Sequence, residues 1–540
     1  MRHVAFRPLL SLGLAATLVT PLACSSDSGG SGNASNGGGD RSGGNNGGSG
    51  KGGSSGSKGG SGGGDKGGGN GNGSGGDSGG DKGGSGGANN GSAGSNGSGG
   101  GSGDAGPPAG AVSTIPIKDY TPKGDYAFGS HRMKYPDGTA RPTGDQKTID
   151  GTVGNFYDLW KKKFVAKDCM GGYYLASGGA AGVGAANYIT TSEAHGYAMI
   201  ITAIMNSWDP EAHDIFDNFL AMMQKYPSKI TPKLMAWGIG PMCAALMPDD
   251  ADSASDGDLD MAFALLLADK VWGSGGKFNY ASLATDVIAS VKAGDMNPDT
   301  RLAKLGDWVD ASVKSFYYVT RGSDFMTDHY RAFAKANNND AFWTGAVDAV
   351  YKLVDFMQST YAPDTGLLPD FIMNTNTATP VKVPLSVAND QGENGLGEQL
   401  HTDYDYNNCR VPWRLATDYI VSGDAKVKDR LSKINAFIQK QTGGDPAKIN
   451  DGYSLSGMPW MVDPAKPEVD PVTKMPVVPG ENGCFTSSFG TGAIVDSKNQ
   501  QWVDAVWKFM INKDFNKEDE YTNSVNLLNM IVMSGNWWAP

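Results

Sequence analysis

The sequence predicts an all-α domain. Three observations predict it. Apolar residues recur at helical spacing in eleven segments beyond residue 150, the connections between them are rich in Gly, Pro, Asn and Asp, and no stretch alternates long enough to demand a large sheet. The segments are 152–164, 193–208, 209–225, 260–272, 279–293, 324–336, 338–360, 411–422, 425–442, 500–511 and 521–533. Paired helices of this kind can close into a toroid.

The chain before these helices reads differently. Residues 1–24 carry Arg2 and Arg7, an apolar core from Leu9 to Val19, and then Pro21-Leu22-Ala23-Cys24. This is the pattern of an export signal, too short to span a membrane. Its end resembles the lipoprotein cleavage box, with Pro21 where Leu is usual, so lipidation of Cys24 and anchoring to an outer membrane or cell surface are expected. The alternative is an ordinary signal peptide cut nearby and an extracellular product. Residues 25–112 are almost wholly Gly, Ser, Asn, Asp and Lys, and most of the chain's 79 glycines fall there. Such a segment cannot bury enough surface to offset its ordering entropy and reads as a tether. Residues 113–540 are then one large domain.

Charge narrows the function. Residues 1–110 hold seven basic and six acidic residues, a net +1, so the chain's −12 leaves −13 for the remainder. An acidic body without a basic patch argues against nucleic acid and tolerates a cationic substrate. Beyond Cys24 there are Cys169, Cys243, Cys409 and Cys484, whose wide spacing specifies no disulfide pairing. There is no CxxC, HExxH, P-loop or GxGxxG pattern, so neither a metal nor a cofactor is expected. A monomer is expected.

Two helix starts carry crowded acids. In Ala254-Ser255-Asp256-Gly257-Asp258-Leu259-Asp260-Met261-Ala262, three carboxylates alternate before an apolar run, and Ser255 or Asp256 is the expected cap. Thr191-Ser192-Glu193-Ala194-His195-Gly196-Tyr197-Ala198-Met199 again sets a carboxylate at the opening of an apolar helix. By themselves these patterns fit plain capping and solvation. His195 reads as packing more readily than as a helper of Glu193. The tryptophans, among them Trp160, Trp237, Trp308, Trp343, Trp413, Trp460, Trp537 and Trp538, fall mostly at helix ends or in loops. Core filling and sugar-stacking platforms are both open to them.

Taken together, the Ser-Glu-x-x-Gly-Tyr-x-Met and Ala-Ser-Asp-Gly-Asp-x-x-Met-Ala elements resemble glycoside hydrolase family 8. Further segments follow in the right order: Leu234-Met235-Ala236-Trp237, Gly306-Asp307-Trp308, Thr320-Arg321-Gly322-Ser323-Asp324, Cys409-Arg410-Val411-Pro412-Trp413-Arg414, Asp451-Gly452-Tyr453 and Ser534-Gly535-Asn536-Trp537. The resemblance implies an (α/α)6 barrel and inverting hydrolysis of a β-1,4-linked polysaccharide. It makes Glu193 the general acid, with a raised pKa, and Asp256 the carboxylate that holds the sugar at the cleavage point. Trp237, Arg321, Asp324, Tyr406 and Arg410 are implied as substrate-binding or wall residues, although buried ion pairs would equally explain the charged ones.

One position departs from the family's commonest pattern. Many members carry Tyr-Asp-Ala-x-Arg, whose Asp activates water, whereas this chain has Tyr406-Asn407-Asn408-Cys409-Arg410. An amide cannot take the proton. The chain resembles the subgroup with Asn here, chitosanases and some β-glucanases, in which a Glu of the preceding inserted loop is the base. That implies Glu398, with Asp403 and Asp405 as the next candidates. The substrate is then a β-glucan such as cellulose or lichenan, or chitosan, with xylan as a further alternative. A non-catalytic glycan-binding barrel that has lost its base is the reading from another class.

Overall fold

The computed structural model describes residues 106–540 apart from 168–171, 177–187, 241–242, 244–250, 314–315, 384–401 and 461–479. The signal with Cys24, nearly all of the tether, and Glu398 therefore lie outside the described residues. Twelve α-helices occur among those described: α1 (Gln146–Phe164), α2 (Ser192–Ile204), α3 (Ala212–Lys225), α4 (Ser255–Trp272), α5 (Tyr280–Gly294), α6 (Thr327–Ala336), α7 (Ala341–Tyr361), α8 (Val411–Ser422), α9 (Ala425–Thr442), α10 (Gly483–Ala493), α11 (Gln500–Asn512) and α12 (Glu520–Met533).

The even-numbered helices make an inner ring in which α2 packs on α4, α4 on α6, α6 on α8, α8 on α10, α10 on α12, and α12 back on α2. Each odd-numbered helix lies outside one of them: α3 on α2, α5 on α4, α7 on α6, α9 on α8, α11 on α10, and α1 on α12. The ring is an (α/α)6 barrel, closed by its first and last helices. Burial follows from this placement. Every residue of α10 and α12 is buried, whereas outer α11 buries Trp502, Val503, Val506, Trp507 and Met510, a single helical stripe.

Small sheets serve the loops between helices. β1 (Val165–Lys167) pairs with β2 (Tyr173–Leu175), and β3 (Thr190–Thr191) with β4 (Gly238–Ile239). β5 (Thr320–Arg321), β6 (Phe371–Met373) and β7 (Val381–Lys382) form an antiparallel three-stranded sheet, with Arg321 opposite Phe371. These are the short strands expected of a chain with no long alternating stretch.

Charge as well as apolar packing fills the barrel. Asp260 accepts both guanidinium nitrogens of Arg414 at 2.9 and 2.6 Å, and also faces His329 Nε2 at 2.8 Å. His329 Nδ1 faces Asp328 at 2.9 Å, and its ring stacks on Phe263 with centroids 3.9 Å apart. Burial alone would push the His329 imidazole down, but Asp328 and Asp260 more than offset it and hold its pKa up. The chain left tryptophan placement open, and the structure divides the residues. Trp160, Trp343, Trp413, Trp537 and Trp538 are buried in the core, while Trp237, Trp308 and Trp460 are half-buried.

Cys409 and Cys484 form a disulfide across a sequence separation of 75. It ties the 3-10 turn Tyr406–Arg410, which leads into α8, to the first turn of α10.

Candidate active site

The site is built where α2, α4 and α8 begin. Thr191 caps α2, its side-chain oxygen accepting from the Ala194 N–H at 3.2 Å, which places Glu193 in the first turn. The cap of α4 differs from expectation. Ala254 occupies the N-cap position with no side-chain bond, and Asp256 sits inside the first turn. Its Oδ1 accepts from the Gly257 N–H at 2.9 Å, which satisfies one of the helix's free donors and leaves Oδ2 to other partners. Gly257 also fixes the spacing of the two helices: a Cβ there would lie 2.5 Å from the Ser192 carbonyl carbon and 2.7 Å from the Glu193 nitrogen. The backbones touch, so Glu193 and Asp256 open side by side.

Arg410 joins them. One nitrogen of its buried guanidinium, Nη1, donates to Glu193 Oε1, to Asp256 Oδ2 at 3.1 Å and to the Tyr197 hydroxyl at 3.0 Å. Tyr197 in turn donates to Glu193 Oε1 at 2.9 Å. With two donors on Oε1, the remaining oxygen, Oε2, is the one free to carry a proton. Arg321 Nη2 approaches Asp256 Oδ2 at 3.6 Å.

These contacts separate the two acids. Burial pushes the Glu193 carboxyl up and the Asp256 charge adds to it, against the pull of Arg410, and the outcome is a raised pKa. Burial also pushes Asp256 up, but Arg321, Arg410 and the Gly257 N–H outweigh it and hold the group ionised. Two neighbouring carboxylates with opposite shifts are the arrangement that suits one to give a proton and the other to stay charged.

The remaining expected residues take distinct places. Asp324 is fully buried behind Arg321, accepting from its Nε at 3.0 Å and from Ser323 Oγ at 2.8 Å, which is the ion-pair explanation of that residue. Tyr406 stacks on Tyr521 with centroids 5.2 Å apart, beside the Arg410 guanidinium. Trp237 is half-buried, edge-on to Tyr188 at 4.4 Å, and its carbonyl accepts from the Ser192 N–H at 2.9 Å, next to Glu193 in the chain. His195 is buried against Phe219, with Nδ1 facing the Thr191 carbonyl, and burial lowers its pKa to about 4. It packs. Of the alternative bases, Asp405 is buried and Asp403 half-buried.

Two residues for which no role was expected join the site. Tyr197 is four residues beyond Glu193, the helical spacing at which side chains meet, and that spacing was the available signal. Asp370 carried none. It lies just before β6, and its carboxylate accepts from the Asn408 N–H at 3.0 Å and the Asn407 side-chain amide at 3.1 Å. Burial pushes its pKa up to about 6 against these donors. Among the described residues no group of three or more His, Cys, Asp or Glu side chains could hold a metal ion.

Comparison with known proteins agrees with this geometry. The sequence model of the glycosyl hydrolases family 8 matches residues 145–458. A beta-glucanase of Niallia circulans is 36% identical over 423 residues, covering 77% of this chain and 93% of its own length. An endoglucanase of Bacillus sp. strain KSM-330 is 35% identical, covering 73% of this chain and 78% of its own. The apo structure of a beta-1,3-1,4-glucanase from Paenibacillus sp. X4 superposes with a TM-score of 0.67 at 33% identity, covering 77% of this chain and 100% of the other. The twelve-helix ring and the paired acids at its mouth thus belong to a glycoside hydrolase, and the chain is a member of the glycosyl hydrolases family 8.

Proposed function

We propose that the protein is an inverting endo-hydrolase of β-glucan. The observation that carries this is the Glu193–Asp256 pair, bridged by Arg410 and shifted in opposite directions. Inversion needs a protonated acid at the leaving oxygen and a carboxylate activating water on the opposite face of the sugar, about 6.5–9.5 Å away. Glu193, raised and a quarter exposed, is suited to give the proton from Oε2. Asp256, ionised and beneath it, is suited to hold the sugar and stabilise positive charge growing at the ring. The base is assigned to Glu398, with Asp403 and Asp405 as alternatives. Trp237 and Tyr406 offer ring faces beside the pair, and Arg321 and Arg410 offer hydrogen bonds.

Relatives named beta-glucanase, endoglucanase and beta-1,3-1,4-glucanase favour a glucan over chitosan or xylan. Export, with a lipid on Cys24 and residues 25–112 as a tether to a catalytic domain of residues 113–540, completes the proposal. It would set the enzyme against polymers too large to enter a cell.

Reducing ends released from barley mixed-linkage β-glucan, carboxymethylcellulose, chitosan and xylan test the reading. The wild type is expected to cut the glucans best, with Glu193→Gln and Glu398→Gln each losing at least about a hundredfold in kcat. NMR should show an inverted anomer in the first product. A wild type that releases nothing from any of the four refutes the hydrolase, and a fully active Glu398→Gln refutes the base.

A further inference from the structure

Arg410 is the hub of the acid pair, and its own orientation is set from behind. Its Nε donates to the Asn407 carbonyl at 3.2 Å, and its Nη2 to the Asn407 side-chain oxygen at 3.4 Å. The same side chain points its Nδ2 at Asp370 Oδ2, 3.1 Å away. Asn407 is therefore held between a carboxylate and a guanidinium.

Only one orientation of the amide satisfies both. Flipped by a half-turn, it would set its carbonyl against a carboxylate and its NH2 against a guanidinium, two repulsive contacts in a site shielded from water. Asp370 is almost wholly buried, and among the described residues no lysine or arginine donates to it. Its partners are the Asn407 and Asn408 N–H groups and the Asn407 amide.

A plain structural clamp would not need this last bond. Asn408 already ties the two segments together, its N–H on Asp370 Oδ1 and its Nδ2 on the Leu368 carbonyl at 2.7 Å, with both partners buried. The bond to Asn407 is additional, and it acts on a half-buried side chain that could otherwise turn.

We propose that Asp370 is a positioning residue for the reaction: it fixes the Asn407 amide with its oxygen toward Arg410, and so orients the guanidinium that holds Glu193 and Asp256. The inference rests on the roles of Glu193 and Asp256 proposed above. It also gives the amide at position 407 a task of its own, the relay of orientation from a buried carboxylate to the acid pair.

The test compares the full-length wild type with Asp370→Asn, Asn407→Ala, the double variant of these two, and the reciprocal swap Asp370→Asn with Asn407→Asp. Each is measured for kcat and KM on barley β-glucan and for Tm. Asp370→Asn keeps an acceptor for the Asn408 N–H but turns an NH2 toward Asn407. It should lower kcat about tenfold or more while KM stays within about twofold, as loss of an orienting partner does. Asn407→Ala should lose a similar factor, and adding Asp370→Asn to it should cost less than about twofold more, because the relay is already gone. In the swap, the amide introduced at 370 donates to the carboxylate introduced at 407, whose second oxygen faces Arg410, and most of the lost kcat should return. Wild-type kcat in Asp370→Asn, or two losses that multiply in the double variant, would overturn the inference. Should Asp370→Asn not fold, the swap decides: a kcat no better than that of Asn407→Ala overturns it. A wild type inactive on every glucan overturns the function reading instead, and this inference with it.

Discussion

Gly257 lies with its backbone against that of Glu193, so closely that a Cβ on the glycine would come within 2.7 Å of the glutamate nitrogen. The contact joins the first turns of α2 and α4, and Gly196 repeats it one turn along, where a Cβ would meet Asp260 Cβ at 2.7 Å. Two glycines facing across a helix pair let the axes approach. The spacing of Glu193, the proposed proton donor, and Asp256 is thereby set by the absence of a methyl group.

Gly257→Ala should therefore act on catalysis as well as on stability. Overpacking a rigid contact costs about 1–3 kcal/mol, and a displacement of Glu193 from Asp256 by about 1 Å can cost about a hundredfold in kcat. Gly275→Ala is the control, since nothing lies within 4 Å of its added methyl. Wild-type kcat in folded Gly257→Ala would show that the close contact does not set the geometry of the pair.

The pH dependence of the reaction should report Glu193. An acid must be protonated to work, so kcat/KM should fall as pH rises through the raised Glu193 pKa, above the ordinary carboxylate range. The Tyr197 hydroxyl stabilises the charged form of Glu193 and pulls that pKa down. Tyr197→Phe removes the donor, and the alkaline limb should move to higher pH. A pH–rate profile on β-glucan measures both, and an unmoved or lowered limb in the variant excludes Glu193 as the group being titrated.

The sequence made the outer helices and the acid pair readable, and it did so for different reasons. Outer helices such as α9 and α11 show the helical period because one stripe is buried and the rest faces water. α10 was missed. Its residues Gly483-Cys484-Phe485-Thr486-Ser487-Ser488-Phe489-Gly490-Thr491-Gly492-Ala493 are buried all round, as those of α12 are, but they are mostly Gly, Ser and Thr and so form no apolar pattern; small residues stand where neighbours press close. Helix α2 ends at Ile204 and not at Trp208, where the apolar run stops. Glu193, Asp256 and Arg410 were found through motif resemblance. Asp370 was not, because its importance lies in a contact across 37 residues of sequence. The Cys409–Cys484 pairing was equally hidden, since spacing alone does not say which helix starts become neighbours.

That disulfide should matter to both stability and rate. Closing a loop of 75 residues restricts the unfolded chain by an amount worth about 4 kcal/mol in the chain-entropy model. Cys409 also directly precedes Arg410, so the link braces the turn that carries the guanidinium. Replacing both cysteines by Ala should lower the guanidinium midpoint, and with it kcat, relative to the oxidised wild type. Equal midpoints would mean that the link adds nothing to the fold already made by α8 and α10.

A second carboxyl pair, beneath the site, should make the fold less stable as pH rises. Asp258 and Asp295 are fully buried and face each other, and burial together with nearby carboxylates raises the pKa of both well above the ordinary value. Asp258 Oδ1 accepts from the Met235 N–H at 3.1 Å, and Asp295 Oδ1 from Ser253 Oγ at 3.0 Å. Among the described residues Asp258 Oδ2 and Asp295 Oδ2 have no hydrogen-bond partner, so a proton held between the two carboxyls is the arrangement that satisfies both. Folded pKa values above the unfolded ones mean that the folded state binds more protons. This contribution is then fully present below the ordinary carboxylate range and is lost as pH climbs through the raised values. Asp258→Asn supplies the donor permanently: the introduced amide can keep its oxygen on the Met235 N–H and give an N–H to Asp295. Thermal unfolding followed from pH 5 to pH 9 should show a wild-type Tm that declines with pH and a variant Tm that declines less, each kcal/mol of difference appearing as about 1 °C in a domain of this size. Parallel curves would mean that the pair holds no proton.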